Sequence, residues 1–505
     1  MISHTQFFVF KFFLDWSNGR EDNGSLPLNI LSVSDALLEW GVCDLGLAHI
    51  SFYFENYVGE DGEINYYTWG AAGDSVGDTG RLAELFIKAR TLCGKDGEHF
   101  TEKYLGVLNS FANVMIRLRE ASSSSLPAPP TGCKGMIIGP PEHDWSSTKD
   151  KYFFNNNVWT LRGMEKVGDY MIRYGKNVTL GNLLLDEAKA FRAQIESCVI
   201  ACMVKTDMND VVFLPPYASL STTPYSSMVE SYESSYANFR FFSETLLADV
   251  LDRSIESSFL TFHNSLGGRL GGASRWEDHL DDMPTAGWGY GALTNNRTKD
   301  FLSLLYGHMA SYQSRGSFHA TEQLSFQGEG LYRSFLHWPD DFDPLHPPRS
   351  NNLSGKRNLS AFGNYYAQEQ DISFCIVTEV LAARLTKWQV VFEDMYRVDS
   401  TSFGPGIWLA RGAPRRWFDE GFDVTGAPTQ LGRVSFSVRP QSDGSSVYSV
   451  SVPRGKVSTW FLRWPGKIER VTSSGCEILQ VESVGIVTIR CDGSSRTFSA
   501  SALFA

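Results

Sequence analysis

Two kinds of hydrophobic periodicity divide the chain. Up to about residue 400, apolar positions recur at the three-and-four spacing of amphipathic helices; beyond it they alternate with polar ones. The first pattern predicts helices over 33–57, 78–93, 98–120, 155–174, 179–204, 229–252, 254–264, 297–313 and 370–388, with a further short candidate from Ala286 to Leu293. The later runs Val434–Val438, Val447–Val452, Thr459–Arg463 and Gly485–Arg490, separated by Gly, Ser and Pro turns, predict an antiparallel β-sandwich. The change falls between Tyr396 and Gly406. The expected organisation is an N-terminal segment 1–30, a helical domain 31–400 and a sandwich 401–505.

Connections between the predicted helices alternate in length. Those at 58–77, 121–154, 205–228 and 265–296 are long; those at 94–97, 175–178 and near 253 are short. In an up–down array this puts every long loop at one end, leaving scaffold at the other, and elaborated loops on a rigid scaffold are where function usually sits. No 34- or 40-residue repeat is present, so a closed ring of helical hairpins fits better than a solenoid. Such a ring wants about twelve helices and the pattern supplies fewer. Either short helices lie within the loops or a hairpin is missing upstream.

A length of 505 residues is too much for one ordinary core. Aromatic residues make up 13% of the chain, enough for large cores or for a cleft lined with rings that stack on the C–H faces of sugars. The net charge of −12 comes without a Lys/Arg cluster, which excludes a phosphate-backbone binder, so no nucleic-acid partner is expected. No apolar run reaches the ~18 residues of a membrane span, so no membrane partner is expected either. The segment Met1–Asp15 is apolar only over Phe7–Leu14, is interrupted by Lys11 and lacks a basic start. It reads as a core segment rather than a signal peptide.

Eight cysteines form no CxxC pair, so zinc and redox motifs are not indicated. Cys198 and Cys202, four apart on a helix, read as buried thiols; Cys476 and Cys491 flank a hairpin and could pair. Sequons at Asn23, Asn177, Asn296, Asn352 and Asn358 favour an extracellular location over a cytoplasmic one.

The long loops concentrate acids, histidines and aromatics. Asp78 stands where a helix N-cap would be. Pro140 and Pro141 fix the approach to Glu142, His143, Asp144 and Trp145, a run that no turn requires. A later loop carries Arg275, Trp276, Glu277, Asp278 and then Asp281, Asp282, Trp288 and Tyr290, where the two later aspartates also suit a solvated charge run. Glu322 follows Ser317, His319 and Thr321, a polar setting for a base that activates water. Glu142, His143 and Asp144 are adjacent and so do not point one way, and no HxxxH or GxxxxGK[ST] motif occurs. No metal and no cofactor is expected. What remains is a cleft of carboxylates and rings, the chemistry of glycoside cleavage.

The helical array, its polar loops and the trailing β-domain resemble the six-hairpin glycosidases, which are (α/α)6-toroid enzymes, and among them the α-L-rhamnosidase-like glycoside hydrolases. The stretch from Gly316 to Glu322 resembles the Gly-Ala-Thr-Thr-x-Trp-Glu stretch before their last hairpin, with Phe318 and His319 in place of small residues and no Trp before the Glu. The resemblance implies a carbohydrate substrate, Glu322 as catalytic base and a partner acid from an earlier loop, where Glu142, Asp144 and Asp78 are the candidates. His143, Trp145, Asn156, Arg275, Trp276, Glu277, Asp278, Trp288 and His319 are the expected substrate-binding residues. An upstream β-sandwich, common in such enzymes, is not visible. Two alternatives stay open. One is a polysaccharide lyase using His143, Asn156, Asn157, His319 or Tyr232, against which the acidic chain argues because it repels a polyanion. The other is a non-catalytic carbohydrate-binding scaffold.

Overall fold

A computed structural model describes residues 27–64, 75–122, 127–141, 151–220, 222–277, 279–311, 323–325, 357–360, 363–366, 376–394, 406–451, 458–482, 485–492 and 497–504. Its helices pair into hairpins. The first joins α1 (Pro27–Glu39) to α2 (Cys43–Tyr57); the second joins α3 (Asp78–Leu92) to α4 (Gly94–Lys103) and α5 (Leu105–Ala121). The third joins α6 (Phe154–Arg173) to α7 (Val178–Cys202). In the fourth, α8 (Tyr232–Tyr236), a π-turn (Ala237–Phe241) and α9 (Phe242–Ala248) form one arm and α10 (Arg253–Ser265) the other. The fifth joins α11 (Thr285–Thr294) to α12 (Thr298–Ser311), and α13 (Ile376–Val390) follows. Helices α1, α3, α6, α9, α11 and α13 pack each on the next, and α13 returns to α1. This is the closed inner ring of an (α/α)6 toroid.

Local chemistry sets the breaks. The pattern over 33–57 reads as one helix, but Gly41 adopts a left-handed conformation (φ 70°) and splits it into α1 and α2. The stretch 98–120 likewise splits at Tyr104. The Asn177 side chain accepts from the Leu180 N–H and starts α7; the Asp252 carboxylate accepts from the Ser254 N–H and starts α10. The candidate helix at 286–293 is α11, and all ten of its residues are buried, so it carries no amphipathic stripe. Short connections lie between each inner helix and its outer partner. All inner helices therefore run the same way, with their N-termini at the long-loop end.

The sandwich has two five-stranded sheets. One orders Glu477–Glu482, Ile486–Cys491, Ser458–Arg463, Gly406–Leu409 and Val391–Asp394. The other orders Phe422–Thr429, Gly432–Pro440, Ser445–Ser451, Thr497–Phe504 and Ile468–Ser474. Gly406–Leu409 runs parallel to Ser458–Arg463, a departure from the wholly antiparallel expectation. The sandwich seals the short-loop end of the ring. The Arg411 guanidinium lies 3.4 Å from the Trp408 ring centre and donates to the carbonyls of Leu293 (2.6 Å) and Thr294 (3.3 Å) at the C-terminus of α11. The N–H groups of Ala410 and Gly412 donate to the Val390 and Gln389 carbonyls at the end of α13.

Disulfides join Cys43 to Cys93, Cys133 to Cys198, and Cys476 to Cys491. The last pairing matches the hairpin reading. The two-thiol reading of Cys198 and Cys202 fails for Cys198, which is bridged; Cys202 is a buried free thiol. No described helix is long and apolar enough to cross a membrane.

Two outcomes test this packing. A Cβ on Gly80 would lie 2.2 Å from the Trp159 carbonyl oxygen, and one on Gly163 would lie 2.5 Å from the Gly80 Cα, so α3 and α6 touch backbone to backbone. Gly80→Ala is expected to lower the unfolding free energy by about 1–3 kcal/mol in urea titration. Burial also pushes the His49 imidazole, 3.1 Å from the Ser34 hydroxyl, down to about 4. The unfolded chain, with an ordinary histidine, then binds the extra proton between that value and about 6.5. Stability should be full above this window and fall as pH drops through it. His49→Gln should flatten that part of the profile.

Candidate active site

At the long-loop end, α6 begins with three consecutive asparagines, and two of them hold a loop. The Asn156 amide donates to the carbonyls of Gly139 (3.1 Å) and Pro140 (2.9 Å). Asn157 accepts from the Ile137 N–H (2.8 Å) and donates to the Ile137 carbonyl (3.1 Å). These bonds fasten the segment that leads to Glu142 against the N-termini of α3 and α6. A ribbon of Ala273–Trp276, His279–Asp281 and Gln323–Ser325 lies at the same end, with Gln323 paired to Asp281. The Asn238 amide holds it through the carbonyls of Gly268 (2.9 Å) and Arg275 (2.7 Å).

The ring encloses an axial cavity of about 110 Å³ whose wall mixes apolar side chains with charged ones. Near the loop end, Arg81 donates to Asp78 (3.3 Å) and Glu244 (3.2 Å), so those two carboxylate oxygens are no more than about 6.5 Å apart. Glu244 also accepts from Asn155 (2.6 Å) and faces Arg240 (3.6 Å). Midway, Arg162 pairs with Glu84 and donates to the Leu247 and Ala248 carbonyls. At the sealed end, Lys88 bridges Asp35 and Glu39 (2.7 Å each), and Arg384 contacts the same two acids (3.1 and 3.3 Å). Burial opposes the charge on Asp35, yet Lys88 and Arg384 hold its carboxyl below the usual range. Burial pushes the Lys387 ammonium down and the Glu393 carboxyl up, each only partly offset by the other at 3.9 Å.

The expected site residues distribute unevenly. Asp78 is the first residue of α3, fully buried, and is bound by Arg81 rather than capping the helix. Its charge is favoured by the helix N-terminus. Trp276 is half-buried in a group with Tyr232, Tyr236 and Phe239, stacked on Phe239 at 5.9 Å, and Phe239 lines the cavity. Glu277 sits beside it with a left-handed backbone (φ 51°), its N–H donating to Ser235 (3.3 Å).

Four expectations need correction. Trp288 is fully buried and stacks on His263 at 3.9 Å, so it has no face for a sugar. Asn156 spends its amide donors on the loop carbonyls. Arg275 donates to the carbonyls of Gly267 and Glu277 (3.2 Å each) and locks the ribbon turn. Asp281 and Asp282 are not a solvated run either. Both are fully buried, with Asp282 2.7 Å from His308 and accepting from the Thr285 hydroxyl. Glu142, His143, Asp144, Trp145, Asp278, His319 and Glu322 lie outside the described residues.

Sequence reasoning missed the axial charges because they sit on helices. The signal was present. Asp78, Arg81, Glu84 and Lys88 recur at three- and four-residue steps along α3, as do Arg240 and Glu244, and Asp35 and Glu39. Such stripes usually face water. Here the helices that bear them are walled by neighbours.

Among the described residues the one cluster of metal-ligating groups is Cys133, Cys198 and Cys202, of which two are bonded to each other. No protein-family model and no curated protein matches the sequence. The structure is similar to that of an α-L-rhamnosidase from Dictyoglumus thermophilum, at 10% identity and a TM-score of 0.48, over 94% of this chain. This chain spans 45% of that one. It is also similar to a GH127 β-L-arabinofuranosidase from Geobacillus stearothermophilus T6, at 11% identity and a TM-score of 0.41, covering 99% of this chain and 75% of that one. A third likeness is to an endo-β-1,4-glucanase from Acetobacter xylinum, at 12% identity and a TM-score of 0.33, covering 70% of this chain and 98% of that one. At these identities and TM-scores the likeness assigns neither activity nor substrate.

The role of Asn156 is open to direct measurement. If it is a loop anchor, Asn156→Ala should cost about 1–3 kcal/mol of stability, the penalty for leaving buried carbonyls unpaired. It should also speed amide exchange selectively over residues 136–139, the last N–H groups before Pro140 and Pro141.

Proposed function

We propose that this chain is a glycoside hydrolase that acts on a plant or microbial oligo- or polysaccharide at the long-loop end of the toroid. The observation that carries this reading is the convergence there of inner-helix N-termini, an axial cavity that bears charged side chains, and the aromatic group in which Tyr232 and Trp276 pack beside the cavity-lining Phe239. Rings at a cavity mouth stack on sugar C–H faces, and charged donors and acceptors inside take up hydroxyls. Glu322 is the general base, a role supported by the next residue in sequence, Gln323, which pairs with Asp281 of the ribbon at this end. Glu142 or Asp144 supplies the proton to the leaving oxygen.

The two roles demand unlike environments. Glycosidic cleavage passes through an oxocarbenium-like state, so one carboxyl must be protonated while the other is ionised at the same pH. In sequence Glu142 and Asp144 stand between Pro140–Pro141 and Trp145, apolar neighbours of the kind that suit the acid. Asp78, held by Arg81, fits a third role better, as a fixed negative charge or hydroxyl acceptor. The lyase reading loses ground because Asn157 is consumed by Ile137 and Asn156 by its loop. Three disulfides support an oxidising, extracellular location.

Glu322→Gln should lower turnover on a glycoside the parent cleaves by about 10³-fold or more, with the melting midpoint nearly unchanged. Near-normal turnover in that variant would remove Glu322 from the mechanism. Release of an unsaturated product absorbing in the ultraviolet would replace hydrolysis by elimination.

A further inference from the structure

The sealed end of the axial cavity contains polar groups that the protein itself leaves unmatched. Lys387, on the last turn of α13, has a side chain only 3% exposed, and its nearest acid, Glu393, stands at 3.9 Å, beyond hydrogen-bond reach. Its ammonium makes no hydrogen bond among the described residues, although an ammonium carries three donors. Across the cavity, Glu39 directs one carboxylate oxygen to Lys88 and Arg384, while the other, Oε2, is buried without a partner. The Arg384 Nε is also buried without a partner. All three side chains line the same cavity, beside Trp388 and Tyr290. Unpaired buried donors and acceptors are costly, and their concentration at one place marks a site that is completed by something else.

We infer that the sealed end of the cavity is a recognition pocket for the hydroxyl-bearing edge of a neutral sugar. A hydroxyl donates and accepts through a single atom. It can accept from Lys387 or Arg384 while donating to Glu39. A carboxylate has no proton to give Glu39, and it would add negative charge where Asp35, Glu39 and Glu393 already balance Lys88, Arg384 and Lys387. The pocket therefore selects against uronates. Trp388 and Tyr290, packed edge to face at 5.7 Å, supply the apolar wall that a sugar's C–H groups need. The inference rests on the carbohydrate reading of the cavity and deepens it, by naming neutral over acidic sugars and by placing recognition at the end opposite the proposed carboxylate chemistry.

The test is direct binding to the full chain, by calorimetry and by the shift in melting midpoint. The probes are free D-glucose, D-galactose, D-xylose, L-rhamnose and L-arabinose, set against D-glucuronate and D-galacturonate. At least one neutral sugar should bind and raise the midpoint, and neither uronate should. Lys387→Met and Glu39→Gln should each weaken that binding by about tenfold or more. Because Lys387→Met leaves Glu393 buried without its counter-charge, the double variant Lys387→Met/Glu393→Gln serves where the single one does not fold. The inference is overturned if no neutral sugar binds, if a uronate binds more tightly, or if the folded variants bind as the parent does. Turnover plays no part in this readout. A chain that binds a neutral sugar at Lys387 but cleaves no glycoside would sink the hydrolase reading and leave the pocket standing.

Discussion

A ring of helices leaves an axis, and every charge that points to that axis must be matched away from bulk water. This constraint shapes the whole helical body. Glu244 is the meeting point near the open end, where Arg81, Arg240 and Asn155 converge on one carboxylate. Lys88 and Arg384 play the converse part at the sealed end, each serving both Asp35 and Glu39. Buried ion pairs of this kind seldom add stability over well-packed apolar residues of the same volume. Close glycine contacts such as Gly80 with Gly163, together with a continuous apolar core, hold the ring; the charges furnish its interior. An interior that sets such charges among apolar side chains is suited to ligands with both polar groups and apolar faces.

The helical class and most helix positions were legible because outer helices such as α7 and α10 keep one wet face and one dry one. Where a helix is walled on all sides, as α11 is, periodicity vanishes and only the length and composition of the run hint at it. Breaks were harder. Gly41 ends α1 through a backbone conformation that the apolar pattern does not register, and two helices read as one. The sandwich was legible as alternation. Its single parallel pairing was not, because alternation reports which face a residue takes and says nothing about strand direction.

The site was legible by position more than by residue. Alternating loop lengths pointed to one end of the ring, where the Asn156-anchored loop and the ribbon of Ala273–Trp276 gather. Reading individual loop residues as ligands succeeded less well, because asparagine, arginine and tryptophan are also the residues that pin loops. Asn156 and Arg275 satisfy backbone carbonyls, and Trp288 fills core. The inward charges were discounted for the opposite reason. A stripe such as Asp78, Arg81, Glu84 and Lys88 is identical in sequence whether it faces solvent or an enclosed axis, and only ring closure distinguishes the two.

Closure of the ring joins the two ends of the helical chain. The indole N–H of Trp40 donates to the Ala383 carbonyl across 343 positions, and Asp35 and Glu39 meet Arg384 across a similar span. On the ribosome, at about 5–20 residues per second, α1 therefore waits roughly 20–70 s for its neighbour to be made. Through that interval Asp35 and Glu39 have Lys88 but lack Arg384, and the flank of α1 that α13 covers lacks its partners. The helix that finally supplies them runs directly into the first strand of the sandwich, so the nascent toroid is an open crescent. Its closure and the docking of its β-domain fall together at the end of synthesis, and a chain cut short before residue 376 would keep the crescent open.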